Sequence, residues 1–166
     1  MVDTAPLSPI DPGNTPMRDF WGGSRGQSWV RRSVAYDGQL RAYTDALMDA
    51  LKPVPGEHCL DVGCGTGYTT RELAVEVTPA GAAVGVDLSH AMVAGARAAA
   101  DASGAERNRR PSFAVADVQV ADLAAQIAAV QGAALNENDL ALMLVGMNDI
   151  LELYARYPAE SSASLI

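Results

Sequence analysis

The sequence is short of cysteine and of basic charge, and it has no long apolar run. Its two cysteines, Cys59 and Cys64, match neither a disulfide framework nor a paired-cysteine zinc site, which suits a reducing cytoplasm. Lys and Arg number 12 against 20 Asp and Glu, a formal net charge of −8. That balance argues against a general nucleic-acid binder, which presents a basic face to phosphates. The one dense basic run, Arg107, Arg109 and Arg110, lies in a polar stretch between apolar segments and reads as a solvated loop. No apolar run approaches the ~20 residues of a membrane span. The first residues lack a basic region followed by an apolar one, so no secretory signal is expected. The expectation is a soluble, cytoplasmic protein.

What is present is enough for one domain. In a chain of 166 residues that is 49% hydrophobic, folding buries on the order of 70% of the unfolded surface. Residues 1–17 carry Pro6, Pro9, Pro12 and Pro16 with Gly13 and Asn14, and read as a flexible arm without a regular element. Between Trp29 and Leu51, the residues Leu40, Tyr43, Leu47 and Leu51 fall at helical spacing, and Pro53 ends that helix.

Strands and helices then alternate. The pattern predicts strands at His58–Val62, Ala83–Asp87 and Phe113–Asp117, with helices at Tyr68–Val77 and from a Ser89 cap to Ala102. Such alternation argues for a parallel sheet, whose ligands bind beyond the carboxyl ends of the strands. Asp61, Asp87 and Asp117 all sit at those carboxyl ends. Between Asp61 and the first helix stand Gly63, Gly65 and Gly67, a tight turn whose amides are expected to face a ligand. The spacing G-x-G-x-G is shorter than the dinucleotide fingerprint G-x-G-x-x-G, so a dehydrogenase is disfavoured. Asp61 would repel a pyrophosphate and attract an ammonium or sulfonium. Asp87 suits ribose hydroxyls, and Asp117 an exocyclic amine.

Taken in order, Cys59-Leu60-Asp61-Val62-Gly63-Cys64-Gly65-Thr66-Gly67, Val84-Gly85-Val86-Asp87-Leu88-Ser89 with Met92, and Ala116-Asp117-Val118 resemble the successive motifs of class I S-adenosylmethionine-dependent methyltransferases. They are most similar to the ubiquinone/menaquinone-biosynthesis-like subgroup. Phe20-Trp21-Gly22-Gly23-Ser24-Arg25-Gly26-Gln27-Ser28-Trp29-Val30 is similar to the N-terminal lid of bacterial members. The resemblance covers residues 18–119 and implies an α/β, Rossmann-like parallel sheet with helices on both faces and S-adenosyl-L-methionine as cofactor. It implies that Gly63, Gly65 and the neighbouring amides, Cys64 and Gly67 included, hold the methionine part, with Asp61 near its amino group. Asp87 would take the ribose, Leu88 and Met92 would sandwich the adenine, and Asp117 with the Val118 amide would read its edge. Met92 reads equally as a plain core residue. The reaction expected is methyl transfer to a small molecule, and no general base is nominated.

Past residue 119 the likeness weakens. Residues 120–166 read as a divergent segment: a helix over Val120–Val130, a loop over Gln131–Asn138, an apolar strand over Asp139–Val145 and a final helix through Tyr154. Asn138 to Leu151 resembles the G-x-N-D block of GDSL-type (SGNH) hydrolases, which would make Gly146 and Asn148 oxyanion donors. No Gly-Asp-Ser block or terminal Asp-x-x-His accompanies it, and a buried strand with Asn148 as helix cap is the stronger reading. The segment is either a fused fragment or the fourth strand of a truncated sheet of order 3-2-1-4, and the two accounts are compatible. An exposed apolar edge is expected beside the fourth strand, and with it homodimerisation or poor solubility. The alternatives to an enzyme are a non-catalytic cofactor-binding or dimerisation module and, more remotely, a hydrolase remnant.

Overall fold

A computed structural model describes residues 9–120 and 140–143. Three helices come first: α1 (Thr15–Gly22), α2 (Ser24–Arg31) and α3 (Ser33–Leu51). There follow β1 (His58–Val62), α4 (Tyr68–Val77), β2 (Ala82–Asp87), α5 (His90–Ala102), β3 (Ser112–Val115) and β4 (Leu140–Met143). The four strands form one parallel sheet in the order β3-β2-β1-β4, as the expected 3-2-1-4 arrangement requires. The chain builds outward from β1 through β2 to β3, then returns to β1's other side. The order therefore reverses between β1 and β4, which puts the ligand crevice of such a sheet at the carboxyl end of β1.

Period-2 alternation divides the core. Cys59 and Asp61 share one face with Ala83, Gly85 and Phe113, because Asp61 pairs with Gly85 and Gly85 with Phe113. Helix α4 packs on this face through Leu73, Ala74 and Val77, with Leu47, Met48 and Leu51 of α3 against them. Helix α5 packs there through Val93, Ala96 and Ala100 against Phe113 and Val115. Leu60, Val84, Val86 and Ala114 form a second apolar layer on the opposite face. The helices expected over that layer lie outside the described residues. So do the surroundings of β4 that bear on an exposed edge, the segments 121–139 and 144–166, and Gly146 and Asn148.

The amino-terminal region differs from expectation. Residues 12–14 form a 3-10 turn and α1 begins at Thr15, where an arm without regular structure is predicted through residue 17. Proline is tolerated here because a first-turn N–H has no intrahelical acceptor, and Pro12 and Pro16 both occupy such positions. The single helix expected from Trp29 is interrupted at Arg32, which leaves helical geometry at φ −113°, ψ 13°. An aromatic series holds the three short pieces together. Trp21 meets Phe20 and Trp29 edge-on, with centroids 5.2 and 5.8 Å apart. Trp29 in turn stacks on Tyr36 at 4.1 Å. At the other end, α3 stops at Leu51 as expected. Lys52 turns left-handed, and its amide bonds back to the Met48 carbonyl before Pro53.

Candidate functional site

The glycine turn is built onto the end of β2. The Gly63 and Cys64 amides both donate to the Val86 carbonyl, at 2.8 and 3.0 Å, and Gly67 donates to the Cys64 carbonyl at 2.8 Å. The Gly65 amide donates to Asp87 Oδ2 at 2.9 Å. The amides expected to face a ligand therefore have partners within the protein, since a turn this tight brings them onto the neighbouring strand. What the turn offers instead is bare surface. Gly65 has φ +54°, and a Cβ built on it would meet no atom within 4 Å.

Asp61 is fully buried beneath that turn. Its Oδ2 accepts from Thr70 Oγ1 of α4 at 2.6 Å. Its Oδ1 is the buried side-chain oxygen that, among the described residues, has no hydrogen-bond partner. Burial pushes its pKa from 3.8 up to about 6; the Thr70 bond works against this and the Asp87 charge adds to it. Asp87 is also raised, by burial first, opposed by the Ser89, Gly65 and Leu88 amides. Burial and then the charges of Asp87 and Asp61 push the Cys64 thiol well above its ordinary range. Below the glycine turn there is thus a buried, negatively charged place with an unfilled acceptor, the field a cation would relieve. An aminium or sulfonium group fits this donor set; a pyrophosphate does not.

Asp87, Leu88, Asp117 and Val118 line one cavity of about 120 Å³ with Val62, Gly63 and Asn14. Asp61, Cys64, Gly65, Gly67 and Met92 are outside its lining. Met92 is buried in the first turn of α5, its amide capped by the Ser89 hydroxyl. Ser89 also donates to the Trp21 carbonyl at 2.8 Å, tying α1 to the head of α5. A second groove of about 380 Å³ runs between α1 and that helix and shares Leu88 with the first cavity. His90, the first residue of α5, is exposed on its wall.

Sequence reasoning missed several groups here. Thr70, nine positions after Asp61 on the inner face of α4, could have been found from helical spacing alone. Arg71, the next residue, donates to the Thr66 carbonyl at 2.7 Å and pairs with Asp37 of α3 at 3.5 Å, so the turn is braced from the helical layer. Asp11 and Asn14 both bond to Asp117. No periodicity could have flagged them, because both lie over a hundred residues away in a proline-rich stretch.

Residues 59–152, more than half of the chain, match the family described as a methyltransferase domain. The chain belongs to that family. The match runs across residue 119, the expected boundary, and takes in the stretch 138–151 that resembles the hydrolase block. Among relatives of this methyltransferase domain is the nocamycin O-methyltransferase of Saccharothrix syringae, 41% identical over 54 residues, which are 32% of this chain and 19% of that protein. The demethylmenaquinone methyltransferase of Symbiobacterium thermophilum is 51% identical over 39 residues, 24% of this chain and 16% of that one. An uncharacterized 37.1 kDa protein in transposon TN4556 of Streptomyces fradiae is 42% identical over 77 residues, 43% of this chain and 22% of its own. The chain thus spans about a fifth of the length of these relatives. The fold is that of the magnesium protoporphyrin IX methyltransferase of Synechocystis PCC 6803, solved with bound SAH. The TM-score is 0.53 at 23% identity, covering 65% of this chain and 53% of that one.

Proposed function

We propose that this methyltransferase domain binds S-adenosylmethionine at the carboxyl ends of β1–β3 and serves methyl transfer to a small molecule. The observation that carries this reading is the unpartnered Oδ1 of Asp61, buried beside a glycine turn with open space over Gly65. The cofactor supplies an activated methyl on a sulfonium, so catalysis asks mainly for positioning. Asp61 offers its free acceptor to the cationic methionine end. The bare backbone of Gly65 allows close approach there. Asp87 holds the turn through Gly65 and the head of α5 through Ser89, and its remaining lone pairs can accept ribose hydroxyls. Leu88 and Val118 supply apolar walls for a flat ring, and Asp117 an acceptor at its edge. Two relatives named for their activities, the nocamycin O-methyltransferase and the demethylmenaquinone methyltransferase, support a small-molecule acceptor.

Calorimetric titration of the chain with S-adenosylmethionine and with NAD tests the reading; saturable binding of the first alone is expected, and preference for NAD overturns it. Methyl transfer, measured separately with small-molecule acceptors, divides an active enzyme from a module that only binds. Asp87→Ala is expected to weaken cofactor binding by ~1–3 kcal/mol through lost charge-assisted hydrogen bonds. Unchanged affinity would remove Asp87 from the ribose site.

A further inference from the structure

We propose that residues 11–14 form a latch over the adenine end of the cofactor site, with the Asn14 carboxamide standing where an adenine amine would meet Asp117. The latch rests on the cofactor reading above and adds to it a device that sets the cofactor's apparent affinity. Asp117 is buried just past the end of β3. Its Oδ2 accepts from the Asp11 amide at 2.9 Å, and its Oδ1 from Asn14 Nδ2 at 2.9 Å and the Gln119 amide at 3.1 Å. Two of these donors come from the start of the chain, and both are N–H groups of the kind an exocyclic ring amine presents.

The turn that delivers them is preformed. Asp11 turns its own carboxylate back onto the Gly13 amide at 2.6 Å, and its carbonyl accepts the Asn14 amide at 2.9 Å. Asn14 forms part of the wall of the cavity lined by Asp87, Leu88, Asp117 and Val118, and that cavity measures about 120 Å³. Small-molecule and cofactor sites run to about 300–1,000 Å³. An adenine amine that takes up the position of Asn14 Nδ2 at Asp117 Oδ1 must therefore displace Asn14. Release need not disturb α1, which begins at Thr15 and is fixed independently through the Ser89–Trp21 bond. The latched and ligand-bound forms thus compete for one carboxylate. The apparent affinity for cofactor equals the intrinsic affinity multiplied by the fraction of molecules with the latch open.

The test uses the full chain and S-adenosylhomocysteine as the probe. In calorimetry, Asn14→Ala is expected to tighten binding about 5- to 10-fold, because a hydrogen bond to a charged acceptor no longer opposes it. Asn14→Asp, which sets a like charge against Asp117, is expected to do at least as much. In the native chain, hydrogen exchange at the Asp11 amide should be slow without ligand and fast at saturation. Unchanged or weaker binding by both variants, or an Asp11 amide that stays protected in the complex, overturns the latch and leaves the cofactor site standing. If neither the native chain nor either variant binds the probe, the cofactor assignment falls and the latch with it.

Discussion

Asp61→Asn is expected to make the protein more stable at neutral pH while it loses the cofactor. Asp61 is fully buried, and its pKa stands at about 6 against an ordinary 3.8, so the native state binds this proton more tightly than the unfolded chain does. Stability from this group is therefore greatest below pH 3.8 and declines as pH rises towards about 6. Above that window the folded protein carries a buried charge that costs about 3 kcal/mol relative to the protonated form. Asparagine keeps the shape and an oxygen for Thr70, and removes the charge. Against this gain, its amide N–H groups need acceptors, and an unsatisfied one costs ~1–3 kcal/mol. The net expectation is a gain of up to roughly 2 kcal/mol, seen as a rise of up to several degrees in Tm. Affinity for S-adenosylmethionine should drop by about tenfold or more, since a charge-assisted contact worth ~1.5–3 kcal/mol is gone. The variant-minus-native difference in Tm should fall as pH drops below the ordinary aspartate value and turn negative there, because the charge relief vanishes while the amide cost remains. A difference that does not change with pH would show that Asp61 is not a strained charge.

The acids and glycines of the site were legible in the sequence because each has a local signature: Asp61 comes late in a strand, and positive φ favours glycine, as at Gly63, Gly65 and Gly67. The spans of β1, α4 and α5 were legible for the same reason, with apolar periodicity, the Ser89 cap and the Thr78-Pro79 stop all agreeing. Phe113–Asp117 was read as strand throughout, but β3 ends at Val115. The Ala116 amide still bonds the Asp87 carbonyl, so the chain leaves the sheet while remaining beside it. The first two helices were not legible. Gly22, Gly23, Gly26, Ser24 and Ser28 are poor helix formers, and their helices exist because Trp21, Trp29 and Tyr36 pack on one another. Nor could sequence show that the turn's amides close onto Val86, because that contact depends on the register between β1 and β2.

The second large effect separates two glycines that look alike in the sequence. Gly67→Ala is expected to cost roughly 2–5 kcal/mol of stability, while Gly65→Ala should cost about 1–2 kcal/mol and instead impair cofactor binding. Both residues have positive φ, +75° and +54°, so each alanine bears the left-handed penalty of about 1–2 kcal/mol. Their surroundings differ. A Cβ on Gly67 would lie 2.6 Å from two atoms of the Phe113 ring and 3.0 Å from the Ala96 Cβ. The ring cannot retreat, because the backbone of Gly85 lies so close on another side that a Cβ there would sit 2.7 Å from it and 2.9 Å from Cys64. Phe113 thus fills a notch that two glycines leave open, and overpacking such a notch costs about 1–3 kcal/mol beyond the backbone term. A Cβ on Gly65 meets nothing and projects into the space assigned to the ligand. Chemical denaturation and calorimetry on the two variants should therefore give opposite rankings. Phe113→Leu, itself destabilising, should recover part of the Gly67→Ala loss in a double-mutant cycle and none of the Gly65→Ala defect in binding. Equal stability losses at the two positions would mean that the space over Gly65 is not kept open for a ligand.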